Sequence, residues 1–374
     1  MITSRSRIAV AAGVALSCAG LLCSCAPKTA QNPSAPGAPP VPEAALQPPP
    51  APAAPSADVQ AKFAKPRKAT GPLKFQIVSN AKSPFWDPVK IGMDRQAAAE
   101  GATASMAAPD RLEVPLQRRL LEAALAKGVD GIAVSAIDAQ ALKPIINEIM
   151  DKGAPPIPII CVDSDSPESN RLAYIGTNNF AAGQAAGNAA VKLLPKGGDV
   201  VAFVGTKGTE NAAERINGFR SAAEPKGIKV IAVMEDQGDK TKARKNVEDV
   251  INKYGDKLAG FLGVYSYNGP AIAAAVQSAK KRANYKIMSF DLEPATIDAL
   301  KTKDVDFTIV QNPYDFGRLA VQFLTLVNRK GLPAARAEMK MPENGVVDTG
   351  VNVVTPDNIA QFLQGMQKKG ITSS

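Results

Sequence analysis

The stretch DGIAVSAIDAQALKPIINEIMDKGAPPIPIICVDSD, residues 130–165, places two short apolar runs on either side of an amphipathic segment. The runs DGIAVSA and IPIICVD are almost continuously apolar, as are strands that are covered on both faces. The segment AQALKPIINEIMDKG between them has helical spacing and closes with a glycine suited to a helix C-cap. The pattern therefore predicts a strand, a helix and a second, parallel strand.

The same alternation continues along the chain from Gly71. The further apolar runs, with amphipathic or polar segments between them, are LKFQIVS, DVVAFVG, IKVIAVM, AGFLGVY, YKIMSFD and DFTIVQ. Strand–helix–strand units repeated this often predict an α/β fold with a doubly wound parallel sheet. A body of about 300 residues exceeds what one such sheet usually carries, so we expect two similar lobes.

The first residues have the pattern of an export signal. Arg5 and Arg7 precede the apolar stretch IAVAAGVALSCAGLL, which is short for a membrane-spanning helix. The segment LLCSC at the end of this stretch, residues 21–25, resembles the lipobox of bacterial lipoproteins, with Leu22 and Ser24 before Cys25. We therefore expect residues 1–25 to be a lipoprotein signal peptide and Cys25 to be lipidated; the alternative is an ordinary secretory signal that is cut elsewhere.

Residues 26–70 are dominated by Pro and Ala, as in PSAPGAPPVPEAALQPPPAPAAPS. Such a segment cannot bury a core and favours extended polyproline geometry, so it is predicted to be a tether between the anchor and the folded body. Seven basic and two acidic residues precede Gly71, so the formal net charge of +9 for the chain becomes +4 for the body. This charge gives little support to a nucleic-acid partner, and none is predicted.

The residue inventory argues against an enzyme, a cofactor and a metal site. The chain has 0 His, the commonest general base and metal ligand. Neither of the common glycine patterns for phosphate binding, G-x-G-x-x-G and G-x-x-x-x-G-K-[ST], follows a predicted strand, and no EF-hand loop occurs. Three of the 4 Cys lie in the leader, and Cys161 lies within the apolar IPIICV. Cys161 is therefore predicted to be a buried thiol rather than a reactive one.

Polar and aromatic residues recur where the predicted strands end. Loops at the carboxyl ends of parallel strands form the ligand crevice of such sheets, so these residues predict a binding site. They are Ser79, Asn80, Ser83, Phe85, Trp86, Ser135, Asp138, Asp163, Ser164, Asp165, Asn211, the stretch from Tyr265 through Tyr267 to Asn268, Phe290, Asp291 and Gln311.

Several short segments carry a family resemblance, which extends from about Lys74 to Pro356. SPFW, VDSD, AAERINGF, MSFD and IVQNPYDFG occur in the order found in the periplasmic sugar-binding proteins of ABC transporters. The chain resembles their ribose-binding-protein-like group, which has the type I periplasmic binding fold. The resemblance implies two α/β lobes joined by a three-strand hinge, with an N-terminal lobe at 71–176, a C-terminal lobe at 177–311, a return to the first lobe at 312–349 and a return to the second at 350–374.

The resemblance also implies the roles of the strand-end residues. Phe85 and Trp86 occupy the family's aromatic positions, and an aromatic ring covers the C–H face of a sugar. Carboxylates and amides suit the hydroxyl rim because they accept, or both accept and donate, hydrogen bonds. The family's rim positions match Asp163, Asp291 and Gln311. The remaining contact positions implied for the sugar are Ser79, Ser83, Ser135, Ser164, Asn211, Tyr267, Asn268 and Phe290.

Three departures from the family pattern concern the choice of sugar. Ser164 stands where ribose binders have an arginine, Ala213 is aligned with a second arginine, and Arg215 is displaced from that position by two residues. Ser83 replaces an asparagine. Arginine and serine are not interchangeable at a bidentate site, so the sequence argues against ribose itself. Phe290 keeps its place and is predicted to form an aromatic wall on the second lobe.

The predicted function is therefore capture of a monosaccharide or a related polyol outside the cytoplasm. The protein would be a monomeric, lipid-anchored binding protein that delivers its ligand to an ABC transporter permease. A sensory protein that presents a sugar or an autoinducer to a membrane receptor is the alternative, and genomic neighbours would separate the two. A sugar-responsive transcription regulator would need a DNA-binding headpiece, whereas this chain has a signal and a tether in that place.

Overall fold

The structure is a computed structural model that describes residues 46–50, 52, 54–67, 71–152, 156–368 and 370–372. The predicted signal peptide and Cys25 lie outside these residues, as does most of the N-terminal half of the predicted tether. No helix in the described ranges is long and apolar enough to cross a membrane.

Strands form where the sequence has its apolar runs. They are β1 Lys74–Val78, β2 Thr103–Ala107, β3 Gly131–Val134, β4 Ile159–Val162, β5 Tyr174–Gly176, β6 Gly198–Val204, β7 Ile228–Glu235, β8 Leu258–Gly263, β9 Lys286–Phe290, β10 Phe307–Val310, β11 Val346–Asp348 and β12 Asn352–Val354.

Helices fill the intervals between the strands and flank the hinge. They are α1 Ala57–Lys62, α2 Trp86–Ala99, α3 Val114–Ala126, α4 Ala139–Lys152, α5 Asn179–Leu193, α6 Glu210–Ala223, α7 Lys240–Tyr254, α8 Asn268–Ser278, α9 Pro294–Lys301, α10 Pro313–Lys330, α11 Leu332–Glu338 and α12 Ile359–Lys368.

The strands form two six-stranded sheets, one in each lobe. The first sheet has the order β11-β5-β4-β3-β1-β2, and the second has the order β12-β10-β9-β8-β6-β7. All recorded pairings are parallel except that of β12, which runs antiparallel to β10 at the sheet edge. The predicted fold of two doubly wound α/β lobes is confirmed, and the antiparallel edge strand is an addition to it.

The chain passes between the lobes at three places: from β5 to α5, from β10 to α10, and from β11 to β12. Two of these crossings are tied together. Thr349 N donates to Gly176 O at 2.8 Å, and Asn178 N donates to Asp348 Oδ1 at 2.9 Å. The crossings therefore lie side by side and form the hinge.

The structure differs from the sequence prediction at the end of the tether. Helix α1 begins after the N-cap Ser56, and its Val59 and the following Phe63 are buried in the core of the first lobe. Leu332 N also donates to Phe63 O at 2.7 Å. Two apolar side chains four residues apart share one face of a helix, and this face packs on the lobe. The folded body therefore begins before Gly71.

Glycine pairs bring two helices of each lobe unusually close together, and these helices carry site residues. A Cβ on Gly92 of α2 would lie 2.0 Å from Tyr314 O, and one on Gly317 of α10 would lie 1.9 Å from Val89 O. In the second lobe, a Cβ on Gly218 of α6 would lie 2.0 Å from the backbone of α5. Only glycine allows such an approach, so these contacts set how closely α2 packs on α10 and how closely α6 packs on α5.

Cys161 lies fully buried in β4, as predicted. Burial raises the pKa of the Cys161 thiol well above its ordinary value, and the nearby Asp165 raises it further. A protonated, inaccessible thiol is a packing residue.

Candidate ligand-binding site

A cavity of about 80 Å³ lies between the two lobes, where the carboxyl ends of the central strands face one another. Residues that line it include Ser83, Phe85, Trp86 and Asp163 from the first lobe and Asn211, Arg215, Tyr265, Tyr267 and Asp291 from the second. The lobes also touch across the cleft, since Ser83 Oγ donates to Glu293 Oε1 at 3.0 Å. The structure is therefore a closed arrangement.

A larger cavity of about 410 Å³ lies elsewhere, beside the hinge residues 311–314 and helix α12. Its lining contains no charged side chain. The smaller cavity brings together two buried carboxylates and a buried guanidinium. Convergent polar groups in a closed cleft distinguish a specific site better than volume does, so the smaller cavity is the candidate site.

Asp163 follows β4 and is held in place from several sides. Its backbone has φ of +62°, a left-handed conformation that is uncommon outside glycine. Tyr174 Oη donates to Asp163 O at 2.8 Å, and Ser135 Oγ donates to Asp163 Oδ2 at 2.8 Å. Burial raises the pKa of the Asp163 carboxyl, while Arg215 and the hydrogen bonds from Ser135 and Asn211 lower it.

Asp291 follows β9 and is the counterpart of Asp163 in the second lobe. Its φ is +67°, Thr308 Oγ1 donates to its carbonyl oxygen at 2.7 Å, and Gln311 Nε2 donates to its Oδ1 at 2.8 Å. Burial raises the pKa of Asp291 to about 7, and the charges of Asp163 and Glu293 raise it as well. The two equivalent strand ends therefore have the same uncommon backbone conformation, and both place a buried carboxylate on the cavity.

Arg215 lines the cavity, where its charge lowers the pKa of both carboxyl groups, and this corrects the sequence analysis. Its Nε donates to Asn179 Oδ1 at 2.9 Å and its Nη1 donates to Val264 O at 3.1 Å. Nη2 is buried and has no hydrogen-bond partner among the described residues. Ala213, which was aligned with the family's arginine, is exposed because it lies about 200° around the helix from Arg215.

The cavity therefore retains one of the two guanidinium groups that the sequence analysis considered lost. The argument against ribose keeps the other two departures, the serines at positions 164 and 83. The position of Arg215 within the segment ERINGF carried the missed signal, because helical periodicity places it on the buried face.

Aromatic rings line the cavity on both lobes, but Phe290 is not among them. Phe290 is fully buried, with the Arg215 guanidinium 4.8 Å above its ring. Tyr265 and Tyr267 form the wall of the second lobe instead, with ring centroids 6.2 Å apart. The predicted aromatic wall at Phe290 is therefore wrong, because this ring supports the arginine rather than reaching the cavity.

Phe85 and Trp86 form the wall of the first lobe. Their ring centroids are 5.3 Å apart in an edge-to-face arrangement, and Phe85 is also 6.4 Å from Phe316 of α10. Phe85 is 6 % exposed and Trp86 is 5 % exposed, and both belong to the core of the first lobe. The two rings therefore have a packing role as well as a place on the cavity wall.

Five other predicted residues lie behind the lining rather than on it. Ser135 and Gln311 donate to the two cavity carboxylates. Ser79 Oγ donates to Ala81 O at 3.0 Å, and Asn268 Nδ2 donates to the buried Asp236 at 2.9 Å. Ser164 Oγ is buried and has no partner in the part of the chain that the structure describes. These residues position the site or its loops.

Two further strand-end carboxylates serve the local fold. Asp165 forms a buried, two-pronged ion pair with Arg171. Asp138 accepts hydrogen bonds from the backbone N–H groups of Gln140 and Ala141 at the start of α4. Within the described ranges, no group of three or more His, Cys, Asp or Glu side chains is placed to hold a metal ion.

Comparisons with known proteins agree with this architecture. A family model described as a periplasmic binding protein domain matches residues 76–330. A xylose/arabinose-binding protein of Sulfolobus acidocaldarius is 25% identical over 306 residues, which cover 78% of this chain and 73% of that protein.

Two solved structures share the fold at similar identity. One is an ABC transporter solute binding protein from Burkholderia graminis in complex with D-arabinose, with a TM-score of 0.70, 28% identity, and coverage of 78% of this chain and 98% of that chain. The other is the XylFII–LytSN complex, with a TM-score of 0.68, 26% identity, and coverage of 76% and 98%.

Proposed function

Because the chain belongs to the periplasmic binding protein domain family, we propose that it captures an uncharged monosaccharide, or a similar small polyol, between its two closing lobes. Members of this family bind and transport sugars rather than convert them, so the protein is a binding protein and not an enzyme. The same membership places its action outside the cytoplasm.

The observation that carries the proposal is the trio of Asp163, Arg215 and Asp291 in a closed cavity. Each carboxylate accepts hydrogen bonds from hydroxyl groups, and the free Nη2 of Arg215 donates to a hydroxyl or ring oxygen. A polyol supplies both kinds of partner on one small molecule. The buried charges then become fully hydrogen-bonded when the ligand fills the cavity.

The aromatic rings support the same class of ligand. Phe85 and Trp86 approach the cavity from one lobe, and Tyr265 and Tyr267 approach it from the other. Ring faces cover the C–H groups of a sugar while polar groups contact its rim. Pentoses are the first candidates, since arabinose and xylose are the sugars named for two of the proteins to which this chain is similar.

We further propose that the protein is a monomer held at the membrane by a lipid on Cys25, and that it hands the sugar to an ABC transporter permease. The transporter assignment follows the family, and the anchor follows the lipobox pattern at residues 21–25. Residues 26–55 would then span the distance between membrane and body.

A sensory role is the second candidate, because one structure similar to this chain is a complex of XylFII with a second protein, LytSN. The sugar site would be the same, and the partner of the closed form would differ. A permease and an ATPase gene beside this gene would favour uptake, whereas a receptor or kinase gene would favour sensing.

Isothermal titration calorimetry against D-arabinose, L-arabinose, D-xylose, D-ribose, D-glucose and D-galactose tests the binding proposal. We expect one sugar to bind with one-to-one stoichiometry and Asp291→Asn to abolish or greatly weaken its binding. Asp249→Asn, which changes an exposed carboxylate paired with Lys245 on α7, is the matched control and should bind normally. No binding of any neutral sugar or polyol by the wild-type protein would contradict the proposal.

A further inference from the structure

The loops after β1 and β9 meet at the cleft through one carboxylate. Ser83 Oγ, on the first lobe, donates to Glu293 Oε1 at 3.0 Å. Ser266 Oγ, on the same lobe as Glu293, donates to this oxygen at 2.6 Å, and the two hydroxyl oxygens are 3.4 Å apart. One carboxylate oxygen is thus shared by a hydroxyl from each lobe.

Glu293 does not use its side chain for the local fold. It is the N-cap residue of α9, yet its carboxylate makes no capping hydrogen bond. The side chains that ordinarily accept from the first free N–H groups of a helix are those of Ser, Thr, Asp and Asn. The Glu293 carboxylate instead turns toward the cleft, where the residue is only 6 % exposed. A carboxylate buried to this degree depends on its donors, and one of them belongs to the other lobe.

Ser83 is oriented by the turn that begins α2. Phe85 N donates to Ser83 Oγ at 3.2 Å, and Trp86 N donates to Ser83 O at 3.1 Å. The hydroxyl therefore accepts from its own loop while it donates across the cleft. The turn that places the two aromatic rings also places this donor, so their positions are coupled.

We propose that Ser83 and Glu293 form a latch between the lobes that slows opening, and that Ser266 positions the carboxylate. The latch rests on the proposed function for its effect on ligand release. Ser83 and Glu293 lie on different lobes, so their hydrogen bond exists only when the lobes are closed. This hydrogen bond must break when the lobes open and the ligand dissociates. It is absent from the open protein that the ligand first meets. A hydrogen bond to a buried carboxylate is among the stronger ones.

The ligand-dependent test is a double-mutant cycle measured by stopped-flow fluorescence of Trp86, the only Trp of the chain. We expect Ser83→Ala and Glu293→Ala each to raise the dissociation rate constant about tenfold and to leave the association rate constant nearly unchanged. The double variant should be no faster than either single variant, because both changes remove one interaction. Ser278→Ala, which changes an exposed serine on α8, is the matched control.

Two results would overturn the latch in this assay. Additive effects would show that Ser83 and Glu293 act independently of each other, and unchanged dissociation rates would show that their contact carries no free energy in closure.

A ligand-free measurement separates failure of the latch from failure of the proposed function. Dyes on unnatural amino acids at positions 122 and 248, on α3 and α7 of different lobes, report the interlobe distance by single-molecule fluorescence transfer. Glu293→Ala should lower the closed-to-open ratio of the unliganded protein about tenfold, whichever ligand the cavity takes. An unchanged ratio refutes the latch even where sugar binding is established, and a lowered ratio supports it even where no sugar binds.

Discussion

Sugar binding should be linked to release of a proton from Asp291. In the ligand-free closed form, burial raises the pKa of this carboxyl to about 7. Sugar hydroxyl groups donate to a carboxylate and favour its charged form, so the pKa of Asp291 should fall in the complex. Affinity is then complete above pH 7 and is lost as pH falls below it. One pH unit below the free pKa, the dissociation constant should be about tenfold larger, which corresponds to about 1.4 kcal/mol.

The folding stability of the unliganded protein should depend on pH in the opposite direction. A carboxyl whose pKa is raised on folding contributes stability that is present below its unfolded value and is lost as pH rises through the folded value. For Asp291 this window extends from the ordinary value of 3.8 to about 7. The melting temperature without sugar should therefore fall from pH 5.5 to pH 8, while the increase in melting temperature caused by sugar should grow.

Calorimetry in buffers of different ionisation enthalpy between pH 5.5 and 8 measures the proton release directly. Asp291→Asn should remove the pH dependence along with most of the affinity. Glu214→Gln is the matched control, because burial also raises the pKa of Glu214 to about 7, yet Glu214 does not line the cavity. A dissociation constant that is independent of pH in the wild type would refute the reasoning, as would a dependence that disappears in Glu214→Gln but not in Asp291→Asn.

Two further outcomes follow from the contacts, and a third follows from the predicted lipobox. Trp86→Ala should weaken sugar binding at least tenfold and lower the free energy of unfolding by about 3 kcal/mol, since the ring both lines the cavity and packs in the core; normal affinity in a destabilised variant would make the ring purely structural. Asp165→Ala should cost about 3–5 kcal/mol in urea unfolding because it leaves Arg171 buried and unpaired, and a loss below 1 kcal/mol would contradict this. Cys25→Ser should move the protein from the membrane fraction to the soluble exported fraction, and wild-type protein that is already soluble would refute the anchor.

The sequence predicts the fold well because both lobes depend on buried parallel strands. Every apolar run singled out in the sequence falls on a strand, from β1 to β10. The strands that went unnoticed are β2, β5, β11 and β12, and three of these are only three residues long. β2 is only partly buried and lies at a sheet edge, so its composition lacks the apolar run of a central strand.

The site is less predictable, because its geometry depends on packing between distant segments. Strand ends identify Asp163 and Asp291, and the topology brings both of them to the cavity. Phe290 was expected on the cavity wall, but the Arg215 guanidinium stacks on its ring and lines the cavity instead. The position of Arg215 depends on how closely α6 approaches α5. Gly183 on α5 and Gly218 on α6 allow this approach. Alignment of short motifs alone does not contain this information.

Closure without a ligand should be accompanied by proton uptake, and the cavity itself supplies the reason. Asp163 belongs to the first lobe, and closing brings it to Asp291 and to the single guanidinium of Arg215 on the second lobe. Each carboxylate raises the free energy of ionising the other in a site that excludes water, so an empty closed form must take up a proton or remain poorly hydrogen-bonded. A polyol removes both costs because its hydroxyl groups donate to the two carboxylates. The contact between Ser83 and Glu293 lies outside this trio and favours closure with or without the ligand. The ligand therefore shifts the equilibrium through the carboxylates, and the latch determines how long the closed state lasts.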